Sequence, residues 1–411
     1  AVFFDADGDG DEDLYVVSGS NELSLQDAAM QDRLYTNDGK GNFSKSKTAL
    51  PAMPASGSCV KAADFDADGD MDLMIGGRVL PGKYPHAPNS YLLQNEGGNF
   101  KDVTKELAPD LQNIGMVTDA IWTDYDGDKD PDLIVVGEWM PIEVLQNNGG
   151  TFNRDTKALG LEKTNGWWNC IEAADMDGDG DMDYMLGNLG LNSKNKASEH
   201  QPFHIYSDDF DGNGKNDIVL GYYNSGVCYP VRGRQCSSEQ MPSIAQKFPT
   251  YEAFGNSNLE QVYGREALQK ALHYEAYEMS SVYLENQNGK SLQQKRLPMQ
   301  AQIAPNNDIL LQDFNGDGHL DALLIGNQYP VEVETGRYDA HIGLYLEGNG
   351  KGDFEAVKVE ESGFLIEGES RSVALLQRGN GRNPLVIVAR NDANGVVFEA
   401  KSRKKRHAAD F

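Results

Sequence analysis

Six copies of one short acidic pattern recur along this chain of 411 residues. In the first, Asp5, Asp7, Asp9, Gly10 and Asp13 stand at positions one, three, five, six and nine. The second has Asp64, Asp66, Asp68, Gly69 and Asp72, and the fourth has Asp175, Asp177, Asp179, Gly180 and Asp183. The third has Asp124, Asp126, Asp128 and Asp132, with Lys129 in place of the glycine. The fifth has Asp209, Asp211, Asn213, Gly214 and Asp217. The sixth has Asp313, Asn315, Asp317, Gly318 and Asp321. A chain with this pattern must fold so that each copy sits in an equivalent tight loop.

Alternate residues of such a loop converge their side-chain oxygens on one point. Two like charges 4 Å apart repel by about 4 kcal/mol at an effective dielectric near 20, so a gathered set of carboxylates needs a cation. Hard oxygen donors select Ca²⁺, which accepts six to eight of them, and glycine at position six permits the sharp turn. By analogy with the EF-hand loop, the carbonyl of position seven is a further ligand. The residues there are Asp11, Asp70, Asp130, Asp181, Lys215 and His319. About six calcium sites are expected, the third weakened by Lys129.

The loops are not EF-hands, because their flanks read as strands rather than helices. Val2-Phe3-Phe4, Ala120-Ile121-Trp122 and Ile309-Leu310-Leu311 precede them. Leu14-Tyr15-Val16-Val17, Leu133-Ile134-Val135-Val136 and Ile218-Val219-Leu220 follow. Short apolar runs bounded by turn residues are buried strands.

A second element shares the period. Leu34-Tyr35-Thr36-Asn37-Asp38-Gly39-Lys40-Gly41-Asn42-Phe43 recurs as Tyr91–Phe100 and Val144–Phe152, and more weakly as Val282–Leu292 and Leu344–Phe354. An apolar strand, a Gly/Asn turn and a return strand make a hairpin. One loop-joined pair plus one hairpin gives four strands per repeat, the unit of a propeller. The loop Asp64–Leu73 and the hairpin Asn37–Phe43 resemble those of the FG-GAP/VCBS repeat proteins, which include integrin α-subunit propellers and cartilage-acidic-protein-like proteins. The resemblance covers nearly the whole chain. It implies an all-β, seven-bladed β-propeller with Ca²⁺ between the first two strands of its blades, six blades being the alternative. It implies no chemistry, since one fold hosts many functions.

Successive loops begin 59, 60, 51, 34 and 104 residues apart, and the last two intervals break the period. Between Gln240 and Glu278 the chain reads as helical pieces, among them Arg265–Leu272, with Leu268 and Leu272 on one face. A single domain over 1–400 is expected, with an irregular blade and helical insertion at about 188–281. A degenerate unit begins near Ser372, where Arg378, Asn380 and Arg382 replace the carboxylates. The two chain ends are expected to complete one blade together. The basic tail at 401–411 reads as a solvated end.

The net charge of −28 argues against a nucleic-acid partner, and no apolar stretch reaches the ~20 residues of a membrane span. Calcium modules suit the millimolar Ca²⁺ outside cells, so a secreted, periplasmic or cell-surface monomer is expected. Cys228 and Cys236 are close enough in sequence to pair in such a compartment.

No nucleophile elbow, phosphate loop or zinc-protease helix is present. The seven histidines are scattered, with His200 and His204 four apart. Recognition of an extracellular protein or glycan is therefore favoured over catalysis. A calcium-dependent polysaccharide lyase or hydrolase is the alternative. Trp139, Trp167 and Trp168 are candidates to stack on a ligand; the competing reading packs them between blades.

Overall fold

The computed structural model describes residues 1–400 apart from 333, 334 and 380; the basic tail and Asn380 lie outside the described residues. The chain is all-β, with seven antiparallel sheets and short helices. The first sheet holds β1 (Val2–Phe4), β2 (Asp13–Val16), β3 (Arg33–Asn37) and β4 (Phe43–Lys45) in order. The second holds β5 (Ser56–Ala63), β6 (Asp72–Val79), β7 (Tyr91–Asn95) and β8 (Phe100–Asp102). In the third, β9 (Met116–Thr123), β10 (Asp132–Met140), β11 (Glu143–Asn147) and β12 (Phe152–Arg154) follow the same order, and β13 (Gly166–Trp167) adds to the end of β10.

The fourth sheet begins with β14 (Cys170–Ala174) and β15 (Asp183–Gly187). Its hairpin comes only after a long excursion. A separate sheet intervenes, made of β16 (Phe203–Asp208), β17 (Asp217–Asn224), β18 (Val227–Pro230) and β19 (Leu272–Ala276), ordered 18-17-16-19. The chain then returns through β20 (Val282–Asn286) and β21 (Leu292–Arg296) to complete the fourth sheet. The next sheet holds β22 (Asn306–Gln312), β23 (Asp321–Gly326), β24 (Leu344–Gly348) and β25 (Phe354–Val357). The last holds β26 (Ser370–Leu376), β27 (Leu385–Arg390) and β28 (Val396–Glu399).

Six sheets pack in series through their first strands: β1 on β5, β5 on β9, β9 on β14, β14 on β22 and β22 on β26. Side-chain alternation explains the stacking. Leu73 and Ile75 turn toward Phe4, Tyr15 and Leu34 of the first sheet, while Met74 between them turns toward Val117, Leu133 and Val135 of the third. Ile134 and Val136 then meet Tyr184 and Leu186, and Met185 meets Ile309 and Leu324. Second strands are thus covered on both faces, which is why they read as unbroken apolar runs. Each buried aliphatic side chain contributes about 1.5–3 kcal/mol.

Polar side chains tie neighbouring first strands together. Ser58 donates to the carbonyl of Val117 (2.7 Å), Thr118 to that of Trp168 (2.8 Å), Asn169 to that of Asn306 (3.1 Å) and Asn307 to that of Ser370 (2.8 Å).

The inserted sheet has its own core. Short helices spanning Arg234–Lys270 lay Met241, Ile244, Phe248, Leu259 and Leu268 over Val219. The last of them ends at Lys270, and Leu272 opens β19 rather than extending the helix. The opposite face of this sheet, with Phe203, Ile205 and Ala276, packs on Trp139.

One expectation is corrected and one open pairing is answered. The chain ends do not complete one sheet: β1 pairs with β2 in a full set of four, and β28 pairs with β27 in a separate sheet of three. Cys228 and Cys236 are not joined by a disulfide. Cys228 lies instead on β18, packed into the core beneath the helices.

Candidate metal centres and a polar cavity

The acidic loops join the first and second strands of their sheets, except in the inserted sheet, where the fifth joins β16 to β17. Within each, the position-one carboxylate folds the loop around itself. Asp5 accepts from the backbone N–H of Gly8 (2.8 Å) and Gly10 (3.0 Å), and Asp64 from Gly69 (3.0 Å). Asp124, Asp209 and Asp313 accept likewise from Lys129 (3.1 Å), Gly214 (2.8 Å) and Gly318 (3.0 Å). Position five accepts from the N–H of position seven, as Asp68 does from Asp70 (2.9 Å). Position six has positive φ throughout, +99° at Gly69 and +79° at Lys129. The third loop therefore keeps the shared geometry, with lysine held in a conformation that favours glycine.

Position nine anchors the loop to the sheet. Asp13, Asp72, Asp132, Asp183, Asp217 and Asp321 are all buried. One oxygen accepts from the N–H of position two: Ala6 for Asp13 (3.0 Å), Phe65 for Asp72 (3.2 Å) and Tyr125 for Asp132 (3.2 Å). The other accepts from the hairpin of the same sheet: Asn37 for Asp13 (2.7 Å), Asn95 for Asp72 (2.7 Å), Asn147 for Asp132 (2.8 Å) and Asn286 for Asp183 (2.9 Å).

Three of those asparagines also reach the preceding sheet. The Asn95 amide donates to the carbonyl of Ala6 (2.8 Å), Asn147 to that of Phe65 (2.7 Å) and Asn286 to that of Tyr125 (2.8 Å). One side chain thus couples a loop, a hairpin and the next loop. The turn glycines follow from this closeness: a Cβ on Gly289 would stand 2.7 Å from the Asp126 Cα. Position-seven side chains brace the same turns, Asp70 accepting from Gly97 (2.9 Å), Asp130 from Gly149 (3.2 Å) and Asp181 from Asn288 (2.8 Å). Asp11 and His319 pack against Gly39 and Gly350 of the corresponding turns, and Lys215 holds this position in the inserted sheet.

In each of the first four loops, carboxylate oxygens of positions one, three and nine lie within 4.8 Å of one another. Asp66 Oδ2 accepts from Gln94 (2.6 Å), but its buried Oδ1 has no donor, and neither has Asp181 Oδ1. A buried carboxylate oxygen without a hydrogen-bond donor is costly unless a cation completes it. Burial pushes the Asp72 and Asp132 carboxyls up to about 7, and nearby carboxylates add to the shift. Burial also raises Asp183, Asp217 and Asp321. The oxygen-only donor set fits Ca²⁺. Calcium bound there would neutralise the clustered charge; the side chains of positions one, three, five and nine and the carbonyl of position seven are placed to hold it.

The tryptophans divide. Trp168 is fully buried and donates to the Thr164 carbonyl (3.0 Å); Trp139 is buried and donates to the Tyr84 hydroxyl (2.6 Å). Both are packed in the core, and Trp168 also borders the cavity that Trp167 lines. Trp167 packs edge-on to Trp139, with ring centres 5.2 Å apart, and is only partly buried. Its indole N–H has no acceptor in the protein. Trp167 lines a polar cavity of about 290 Å³ with Arg78, Glu138, Asn169, Asn307 and Arg371. Arg78 pairs with Glu138 (2.5 Å), and Arg371 pairs with Glu369. Apart from the Trp167-Trp168-Asn169 stretch, sequence reasoning missed this set, because its members come from four different sheets.

On the first strands, Lys61 pairs with Asp119 (2.9 Å), and burial pushes Glu172 up to about 7. His200 lies in an exposed turn, apart from His204 on β16.

Sheets strung on clustered acidic turns define a repeat protein whose loops could hold metal ions. The FG-GAP-like repeat family matches residues 5–75 and 124–186, two regions that support an FG-GAP/VCBS repeat assignment. No curated protein matches it significantly. Among solved structures, the V. cholerae biofilm matrix protein Bap1 is 11% identical, with 96% of this chain and 76% of that one covered, at a TM-score of 0.37. The exotype rhamnogalacturonan lyase YesX is 12% identical, with 97% and 71% covered, at a TM-score of 0.31. Neither likeness bears on what this chain does. No helix among the described residues is long and apolar enough to cross a membrane.

Proposed function

We propose that this chain is a calcium-binding β-propeller that recognises a protein or glycan outside the cytoplasm, with no turnover of its own. Serial packing through first strands supports the propeller arrangement within one domain over 1–400. Six sheets stand in that series and the seventh is inserted, which favours six blades over seven. Six acidic loops of one geometry support about six calcium ions. Sites of this kind suit the millimolar Ca²⁺ of a secreted, periplasmic or cell-surface protein.

The observation that carries recognition is the Trp167 cavity. A partly exposed indole ring and amide and guanidinium groups line one space. Ligand sites are commonly concave, with a few convergent polar groups. The test is a glycan and protein array with and without EDTA, repeated with Trp167→Ala and Arg371→Ala. Binding lost in both variants supports the reading; full binding by both places the surface elsewhere.

A hydrolase or lyase reading draws on Glu172, whose raised carboxyl suits general acid chemistry. Turnover of a polysaccharide that disappears in Glu172→Gln would establish that reading instead.

A further inference from the structure

We propose that His204, His273 and Glu275 form a Zn²⁺ site on the inserted sheet, separate in place and chemistry from the acidic loops. The strands β16 and β19 pair antiparallel, with His204 opposite Glu275 and Tyr206 opposite His273. Alternate residues of a strand share a face, so His273 and Glu275 project together beside His204. His204 Nδ1 stands 3.0 Å from His273 Nε2 and 3.4 Å from Glu275 Oε1. All three ligand atoms fall within 4.8 Å of one another.

Those separations match a metal's requirement. Tetrahedral Zn²⁺ with bonds of about 2.0–2.1 Å places its donors roughly 3.3 Å apart. The ion would enter where the two imidazoles now share a hydrogen bond, each ring keeping its N–H on the nitrogen that faces away. The rings are also held in place. Tyr206 stacks on His273 at 4.1 Å with planes 4° apart, and Tyr223 lies against His204 at 5.6 Å. The Tyr277 hydroxyl donates to Glu275 Oε2, leaving Oε1 toward His204. Such outer contacts orient ligands in metal sites.

Two imidazoles and a carboxylate suit zinc and its neighbours, whereas the loops offer only oxygen. His204 is buried and His273 is exposed, so a fourth position faces water, as in zinc sites with three protein ligands. The acidic loop of this sheet follows the far end of β16, beyond Asp208.

Cobalt(II) is the probe, because nitrogen-containing four-coordinate sites give an intense visible band and oxygen-only six-coordinate sites a weak one. Calcium-saturated protein titrated with Co²⁺ should show the intense band at a single equivalent. Equimolar Zn²⁺ should abolish it, and excess Ca²⁺ should not. In His273→Ala the band should vanish, with Co²⁺ binding at this site weakened more than about 100-fold, beyond what loss of an outer contact costs. Because His273 is exposed, that variant should melt like the parent in calcium. Only a weak band at saturating Co²⁺ in the parent, or an intense band that persists in both His273→Ala and Glu275→Gln, would overturn the assignment.

Discussion

The second and fifth acidic loops share the same pattern, with Asn213 and Lys215 in the fifth where the second has Asp68 and Asp70, and have different surroundings. In the second, Asp72 is held by Phe65 and by Asn95, which in turn grips Ala6 of the neighbouring sheet. In the fifth, Asp217 keeps the matching bond from Phe210 (3.1 Å), but its further partner is Gln240 at the end of the helix Arg234–Gln240. In the serial sheets the first three acidic loops are thus part of the contact between sheets. The inserted sheet makes its loop a local affair, braced by its own helices. Calcium in the first setting would support the contact between sheets; in the second it would support one module.

The largest expected effect is from calcium removal. An ion that binds only the folded chain adds about 2.7 kcal/mol per site at 100 times its Kd. EDTA should lower the melting temperature steeply. Amide exchange should rise first in the hairpin turns near Gly98, Gly150 and Gly289, and less around Lys215. Equal loss of protection in both settings would break the comparison.

Next comes the asparagine itself. Asn147→Ala removes the donor to the buried Phe65 carbonyl, and an unsatisfied buried group costs about 1–3 kcal/mol. The Gly150 N–H loses its acceptor too, so a total of roughly 2–4 kcal/mol is expected in denaturant melts. Gln240→Ala, the counterpart in the inserted sheet, should cost about 1 kcal/mol. Equal costs would mean that the coupling between sheets is not what distinguishes the two loops.

The effect of pH follows from Asp72 and Asp132. Their carboxyls rise to about 7 in the folded, ion-free chain, against about 3.9 when unfolded. Between these values the folded form holds protons that the unfolded form has lost. Ion-free stability therefore falls as pH rises through that window. Calcium needs the ionised carboxylates, so its contribution grows over the same range. The melting-temperature gap between calcium and EDTA should be wide at pH 8 and narrow at pH 5. A gap that does not change with pH would remove these two carboxyls from the binding set.

Legibility in the sequence tracked how local each feature is. The acidic loops were readable because their donors are contiguous and their turn needs glycine at one place. The repeated four-strand unit was readable because apolar runs and turns kept a common period. The break in that period was visible from loop spacing, yet the sequence suggested helices where a further four-stranded sheet also lies. The asparagines left a trace, an Asn at one place in four hairpins with Gly348 in the fifth, but a turn accounted for it equally well. Arg78 with Glu138, and His204 with His273, left none. They are 60 and 69 residues apart and meet only through strand packing.

The smallest expected effect belongs to Lys129. Lysine at φ +79° costs about 1–2 kcal/mol relative to an unstrained conformation. Glycine would relieve it, but its greater freedom in the unfolded chain takes back about 0.4–1 kcal/mol. Lys129→Gly should therefore stabilise the protein by about 0–1.6 kcal/mol, seen as a raised denaturant midpoint with unchanged slope. Calcium affinity of the third loop should rise only a few-fold, since a solvated lysine is well screened at ordinary ionic strength. The third loop already has its Asp132 and Asn147 anchors, and these set its shape whatever stands at position six. If Lys129→Gly instead changed stability as much as Asn147→Ala, the loop's own backbone, and not its place between two sheets, would govern the site.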